Sequence, residues 1–299
     1  MNASHMALDQ SACPDWFSWS QQRPGRPGFV EVQGHRLHYL EWGEQHSQLP
    51  TLLLVHGMRA HAHWWDGIAP HLTAGRRVIA MDLPGMGDSE HWREYPLRFA
   101  AQAITGLIDC LALGAVTGIG HSYGGSRLLQ ACSVRPDLFR HLILLDSFLL
   151  LPDVKLPVDT ASNTGKRYYP DLDTALGRYR LMPPQPLALP CIVDEIARHS
   201  LRQEAQGWCW KFDPDLPRGL FDEDLGQDLL PKVQRPVDVV FGECSLVVEP
   251  GDAQQAVDLL PLGRGPFGIP GTHHHMMIDQ PLAVIAMLRG LLAAGAHHE

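Results

Sequence analysis

Five short runs dominated by apolar residues punctuate this chain, at 51–55, 78–81, 115–119, 142–145 and 236–241. A strand covered on both faces reads this way, because neither side meets water. Between and after them lie segments with helical spacing of apolar positions, at 63–72, 98–113, 126–134, 253–260 and from Pro281 onward. A further short strand is predicted at 266–269. Ahead of all these, 29–32 and 37–42 flank Gln33-Gly34-His35 with β-rich arms, a hairpin signal. Strands alternating with helices at this spacing predict an α/β fold, a doubly wound and mostly parallel central sheet with helices on both faces. Ligands in such sheets bind beyond the carboxyl ends of the strands. His56, Asp82, Ser122 and Asp146 all stand at predicted strand ends.

The alternation stops after Asp146. From 147 to 230 the chain carries Pro183, Pro184, Pro186 and Pro190, helix-compatible stretches, and the aromatic side chains of Trp208, Trp210 and Phe212. This predicts a helical cap (147–230) inserted between two pieces of one core, 29–146 and 231–299, behind a polar N-terminal extension, 1–28.

Within the strand–helix rhythm, Gly120-His121-Ser122-Tyr123-Gly124-Gly125 falls between the run at 115–119 and the helical pattern that follows. G-x-S-x-G in that context is a sharp turn that lifts a serine hydroxyl above the sheet edge, over a helix N-terminus. Backbone approaches itself so closely there that side chains two residues on either side would clash, which demands glycine. The plain alternative is a glycine-rich turn with an incidental serine. Three other stretches bear on the choice: Leu54-Val55-His56-Gly57, then 82–89 (Asp-Leu-Pro-Gly-Met-Gly-Asp-Ser), then His274 seven residues before Pro281. Singly each is common; in this order and spacing they are specific. Together they resemble the α/β-hydrolase fold, of the type with a cap after the sixth strand, over most of 29–295 outside the cap.

The resemblance implies Ser122 as nucleophile and a histidine in the loop after the last strand as its base. A serine hydroxyl is too weakly acidic to attack an acyl carbon at neutral pH unaided. Loop register favours His274, with His273 and His275 as neighbours that could serve instead. The acid departs from the commoner pattern: three residues beyond Gly242, where most relatives carry aspartate, stands Ser245. Asp146, 24 residues after Ser122, is the expected substitute, an arrangement similar to that of some haloalkane dehalogenases. Glu243 and Glu249 are the alternatives, and anchoring the first turn of the cap is the structural role open to Asp146. Backbone N–H groups of Met58 and Tyr123 are implied as the oxyanion hole. Arg59, Trp208 and Trp210 are candidates for pocket lining, as are Trp64, Trp65 and Met86, although ordinary packing explains any one of them equally well. A serine at position 122 argues against dehalogenase or epoxide-hydrolase chemistry, which needs a carboxylate there.

Composition narrows the classes further. At 299 residues, 19% charged and net −9, with no basic cluster beyond pairs such as Arg76-Arg77, the chain is a poor fit for nucleic acid or an anionic membrane. No apolar run is long enough to span a bilayer. Six cysteines without framework spacing read as reduced thiols, and with no signal-peptide pattern at the N-terminus this predicts a cytoplasmic protein. No cofactor is expected. Three consecutive histidines cannot converge on one ion, and His61-Ala62-His63 reads as a loop entering a helix, so no metal site is expected either. The expected activity is a serine hydrolase cleaving carboxylic esters (or lactones or thioesters) of small to medium, mainly apolar molecules. The alternatives are a C–C bond hydrolase or amidase on the same residues, or a receptor-like binding protein with vestigial turnover. Oligomeric state is not legible.

Overall fold

The computed structural model describes residues 13–43, 49–147, 149, 165–186, 189–216 and 226–295. In chain order these form α1 (Asp15–Gln21), β1 (Arg26–Val32), β2 (His35–Trp42), β3 (Thr51–Val55), β4 (Arg77–Met81), α2 (Phe99–Cys110), β5 (Val116–His121), α3 (Tyr123–Val134) and β6 (Phe139–Leu145). The inserted region contributes α4 (Leu172–Leu176), α5 (Pro190–His199), β7 (Leu201–Glu204) and β8 (Gly207–Trp210). The core resumes with β9 (Val237–Gly242), α6 (Pro250–Leu259), β10 (Gly263–Ile269), α7 (Met276–Asp279) and α8 (Pro281–Gly295).

Eight strands make the main sheet, in the order β1, β2, β4, β3, β5, β6, β9, β10. Pairing is antiparallel from β1 through β2 to β4, and parallel from β4 across to β10. The reason is legible in β3, whose five residues are all buried. Alternate side chains go to opposite faces, so Leu53 and Val55 join the cluster under α2 and α3 while Leu52 and Leu54 join the one under α8. Each fully buried leucine of this kind contributes roughly 1.5–3 kcal/mol. Helices on both faces therefore enclose the sheet, and the carboxyl ends of β3, β4, β5, β6 and β9 open onto one edge.

Three expectations are corrected. The helix predicted at 63–72 is two 3-10 turns, Ala62–Trp65 and Ala69–Leu72. Gly67 and Pro70 lie between and within them, and proline has no N–H to continue a helix. The insertion is not wholly helical: β7 and β8 pair as an antiparallel hairpin carrying Trp208 and Trp210. The six cysteines are not all thiols, because Cys13 and Cys191 form a disulfide that ties the segment before α1 to α5, while Cys110, Cys132, Cys209 and Cys244 are free. That pair removes the main ground for expecting a cytoplasmic location. Within the stretch predicted as a polar extension, α1 buries Phe17 in the core at 2% exposure, and β1 begins at Arg26. The parts of the predicted extension and cap at 1–12, 148, 150–164, 187–188 and 217–225 lie outside the described residues. Among the described residues no helix is long and apolar enough to cross a membrane.

Candidate active site

Ser122 sits between the end of β5 and the start of α3 with φ 52° and ψ −121°. A non-glycine residue there costs about 1–3 kcal/mol and persists only where its surroundings enforce it. They do so on both sides. The Ser122 N–H donates to Leu145 O at 3.0 Å, and the Gly125 N–H donates to Ser122 O at 3.1 Å. A Cβ on Gly120 would lie 2.5 Å from Gly125 Cα, and one on Gly124 would run into the carbonyl oxygens of Val55 and His56. The two glycines thus let β5, α3 and the end of β3 close around the serine.

Asp146 follows β6, is 0% exposed and also has positive φ, 44°. Its Oδ1 accepts from the Gly242 N–H at 2.9 Å. Its Oδ2 accepts from the Ser245 hydroxyl at 2.6 Å and from His274 Nδ1 at 2.7 Å. A carboxylate only accepts, so His274 Nδ1 carries a proton and donates it to Asp146. Neither neighbouring histidine bonds Asp146, although the His275 ring lies 4.9 Å from that of His274. His273 Nδ1 bonds Asp279 at 2.9 Å, and His275 is buried with neither ring nitrogen partnered. Burial, and then the charge of His274, push the His275 pKa down to about 3. Glu249 caps α6 with Asp252, and Glu243 lies against Gly268. Among the described residues no hydrogen bond joins the Ser122 hydroxyl to His274. Nucleophile–base contacts are often long in ligand-free sites and tighten when substrate arrives.

Two further residues hold His274, and sequence reading assigned them no part in this. The His121 Nε2–H donates to the His274 carbonyl at 2.9 Å, with ring centroids 4.8 Å apart. Burial first, then His274 and His275, lower the His121 pKa well below 6.5, so the ring is neutral. Its position beside Ser122 was the only available signal. Ser245, three residues beyond Gly242, does not touch the imidazole but donates to Asp146. It in turn accepts from the Val247 N–H at 3.0 Å.

The loop after β3 lies alongside. A Cβ on Gly57 would sit 3.2 Å from His121 Nδ1 and 3.4 Å from Ser122 Cβ, so the loop that carries Met58 starts beside the serine, and Tyr123 takes the first position of α3. This loop is fixed from β4 by a second strand-end carboxylate. Asp82 accepts from the Ala62 N–H (2.6 Å) and the Asp88 N–H (2.8 Å), and pairs with His38 at 2.7 Å. Burial raises its pKa, but the hydrogen bond and charge of His38, with His56 and His61, outweigh it and hold the carboxyl far below the usual range. His56 Nδ1 donates to Gly57 O (2.7 Å) while Nε2 accepts from the Leu83 N–H (3.1 Å), joining the two loops as a neutral ring.

The aromatic candidates divide. Trp64 stacks toward His121 (6.3 Å, 19°) and His275 (5.3 Å). Trp208 and Trp210 pack with Tyr169, Leu172, Leu176 and Leu201 in a cluster belonging to the insertion. Trp65 and Met86 are fully buried core. Arg59, at φ 57°, places its guanidinium 5.2 Å from the Phe212 ring.

The chain matches the family model described as alpha/beta hydrolase fold over residues 50–177. It is 26% identical over 275 residues to the esterase Rv0045c of Mycobacterium tuberculosis, covering 89% of each chain. To the pimeloyl-[acyl-carrier protein] methyl ester esterase of Neisseria meningitidis it is 29% identical over 219 residues, covering 66% of this chain and 75% of that one. The crystal structure of the M. tuberculosis esterase superposes with a TM-score of 0.74 at 22% identity, covering 96% of this chain and 99% of the other.

Proposed function

Because this chain has the α/β-hydrolase fold, we propose that it is a serine hydrolase that cleaves carboxylic esters through an acyl-enzyme. The observation that carries the proposal is the 2.7 Å bond from His274 Nδ1 to the buried Asp146 carboxylate, next to a serine at a positive-φ turn. Nε2 of His274 takes the Ser122 proton as Oγ attacks the acyl carbon, and Asp146 holds the imidazolium that results. The oxyanion is met by the N–H groups of Met58 and Tyr123, the latter at the positive end of α3. The protonated His274 then delivers its proton to the leaving alkoxide, and water, activated by the same nitrogen, releases the acid. The esterases among the similar proteins support an ester as substrate. Trp64 supports an apolar group close to the scissile bond.

The test is hydrolysis of p-nitrophenyl esters together with labelling by a fluorophosphonate. Ser122→Ala should abolish both while the melting temperature is kept, and turnover that survives it would exclude Ser122 as nucleophile. Asp146→Asn should lower kcat by about 10³–10⁴-fold, whereas Glu249→Gln should leave it unchanged. The absence of a described Ser122–His274 hydrogen bond favours one other reading, a ligand-binding protein with vestigial turnover. An idle serine would leave the probe unreacted.

A further inference from the structure

The region of His61-Ala62-His63, where no metal site was expected, meets α5 of the insertion. His63 and His199 stack face to face with centroids 3.6 Å apart and an interplanar angle of 12°. His63 Nδ1 lies 2.7 Å from Asp66 Oδ2, and His199 Nε2 lies 3.3 Å from Glu195 Oε1, one turn back on α5. One donor atom from each of His63, Asp66 and His199 lies within 4.8 Å of the others. The second observation is independent of this clustering: Asp66 Oδ1 is buried and has no hydrogen-bond partner. A buried carboxylate oxygen left unpaired is costly, and a cation would relieve it. His63, Asp66 and Glu195 also line one small cleft, with Phe17 and Ile192. Lys211, the nearby cation that could otherwise answer Asp66, is held by Asp88 at 2.7 Å.

We propose that His63, Asp66 and His199, with the Glu195 carboxylate as a fourth donor, bind a divalent transition-metal ion of the Zn²⁺ class that joins the loop after β3 to α5. Two imidazoles and carboxylates make a donor set for such an ion rather than for Ca²⁺ or Mg²⁺, which take oxygen shells. In a tetrahedral shell with bonds of about 2.0–2.1 Å the donors stand about 3.3 Å apart, so rotation of these half-buried side chains can close the observed spacing. Two donors belong to the core and two to the insertion. Occupancy therefore staples one to the other without touching Ser122, Asp146 or His274, and the inference does not depend on the esterase reading.

The experiment titrates the full chain, stripped with EDTA, with Zn²⁺ by calorimetry and with Co²⁺ by visible absorption. One equivalent should bind, with the intense d–d bands of a four-coordinate ion. Zn²⁺ at 100 times its Kd should raise the melting temperature by about 5 °C. His63→Ala and His199→Ala should each weaken binding at least about tenfold, and His274→Ala should leave it intact. Asp66→Asn, which removes the charge at constant volume, carries the same test should an alanine variant fail to fold. Absence of saturable binding would overturn the proposal. So would binding that survives His63→Ala and His199→Ala, or binding lost in His274→Ala, which would assign the ion to the buried set of His121, His274 and His275.

Discussion

At the scale of single residues, the carboxylate after β6 is held by three donors, and two of them are worth separating. Gly242 contributes a backbone N–H, which no side-chain change short of proline removes, but the Ser245 hydroxyl is accessible to mutation. A hydrogen bond to a charged group contributes about 1.5–3 kcal/mol. Ser245→Ala should cost about that much stability in urea unfolding, and should lower kcat while leaving KM nearly unchanged, since the hydroxyl acts through Asp146 and not on substrate. A paired exchange is more discriminating. Asp146→Ser alone should be nearly inactive, and Asp146→Ser combined with Ser245→Asp should recover part of kcat/KM, because position 245 already lies against the carboxylate that reaches His274. No recovery would mean that the geometry after β6 is the only one this imidazole accepts. The sequence places Ser122 and narrows the base to three adjacent histidines, since motif and loop register are local. Loop register favours His274, but what distinguishes the three is each one's partner: Asp279 for His273, Asp146 for His274, and the rings of His274, His121 and Trp64 for His275. The partner that decides, Asp146, stands 128 residues from His274 and leaves no local trace.

At the scale of elements, the strands were legible because a doubly covered strand is an apolar run of fixed length, as in β3, which begins and ends where the pattern does. The segment after it was not. Ala62–Trp65 and Ala69–Leu72 place apolar residues at helical spacing, yet the chain there follows the Asp82 carboxylate, which takes the Ala62 N–H. Tertiary hydrogen bonding sets that backbone. The Cys13–Cys191 pair was equally hidden, since partners 178 residues apart have no spacing to read. It is readily tested: alkylation of the denatured protein without reductant should modify four cysteines, and six after reduction, by intact mass. Six in both conditions would return all the cysteines to thiols. Because the bridge ties α5 to the segment preceding α1, Cys191→Ser should also lower the melting temperature, by an amount set largely by the conformational freedom the unfolded chain regains.

For the whole molecule, the notable quantity is how many imidazoles the fold keeps neutral. His56, His121 and His275 are all buried, and in each the dominant cause of the lowered pKa is removal from water. In the unfolded chain each would titrate near 6.5, so between that value and the depressed folded pKa the unfolded state binds more protons. Stability then rises with pH across this window. The contribution is fully present above pH 6.5 and is lost as pH falls, by about 1.4 kcal/mol per imidazole for each unit below 6.5 until its folded pKa is reached. For His275 that floor is about 3. The Asp82 carboxylate does not share this window: with its lowered pKa it begins to matter only where an unfolded aspartate titrates, near 3.8. Urea unfolding at pH 7.5 and 5.5 should therefore differ by several kcal/mol in favour of the higher pH, with net proton uptake on unfolding at 5.5. His275→Gln, which cannot take up a proton, should flatten the dependence by about 1.4 kcal/mol per unit. Equal stability at the two pH values would mean that these rings are charged or hydrated in the fold. In that case the neutral state of His121 would have to be given up as well, although its Nε2–H would still reach the His274 carbonyl.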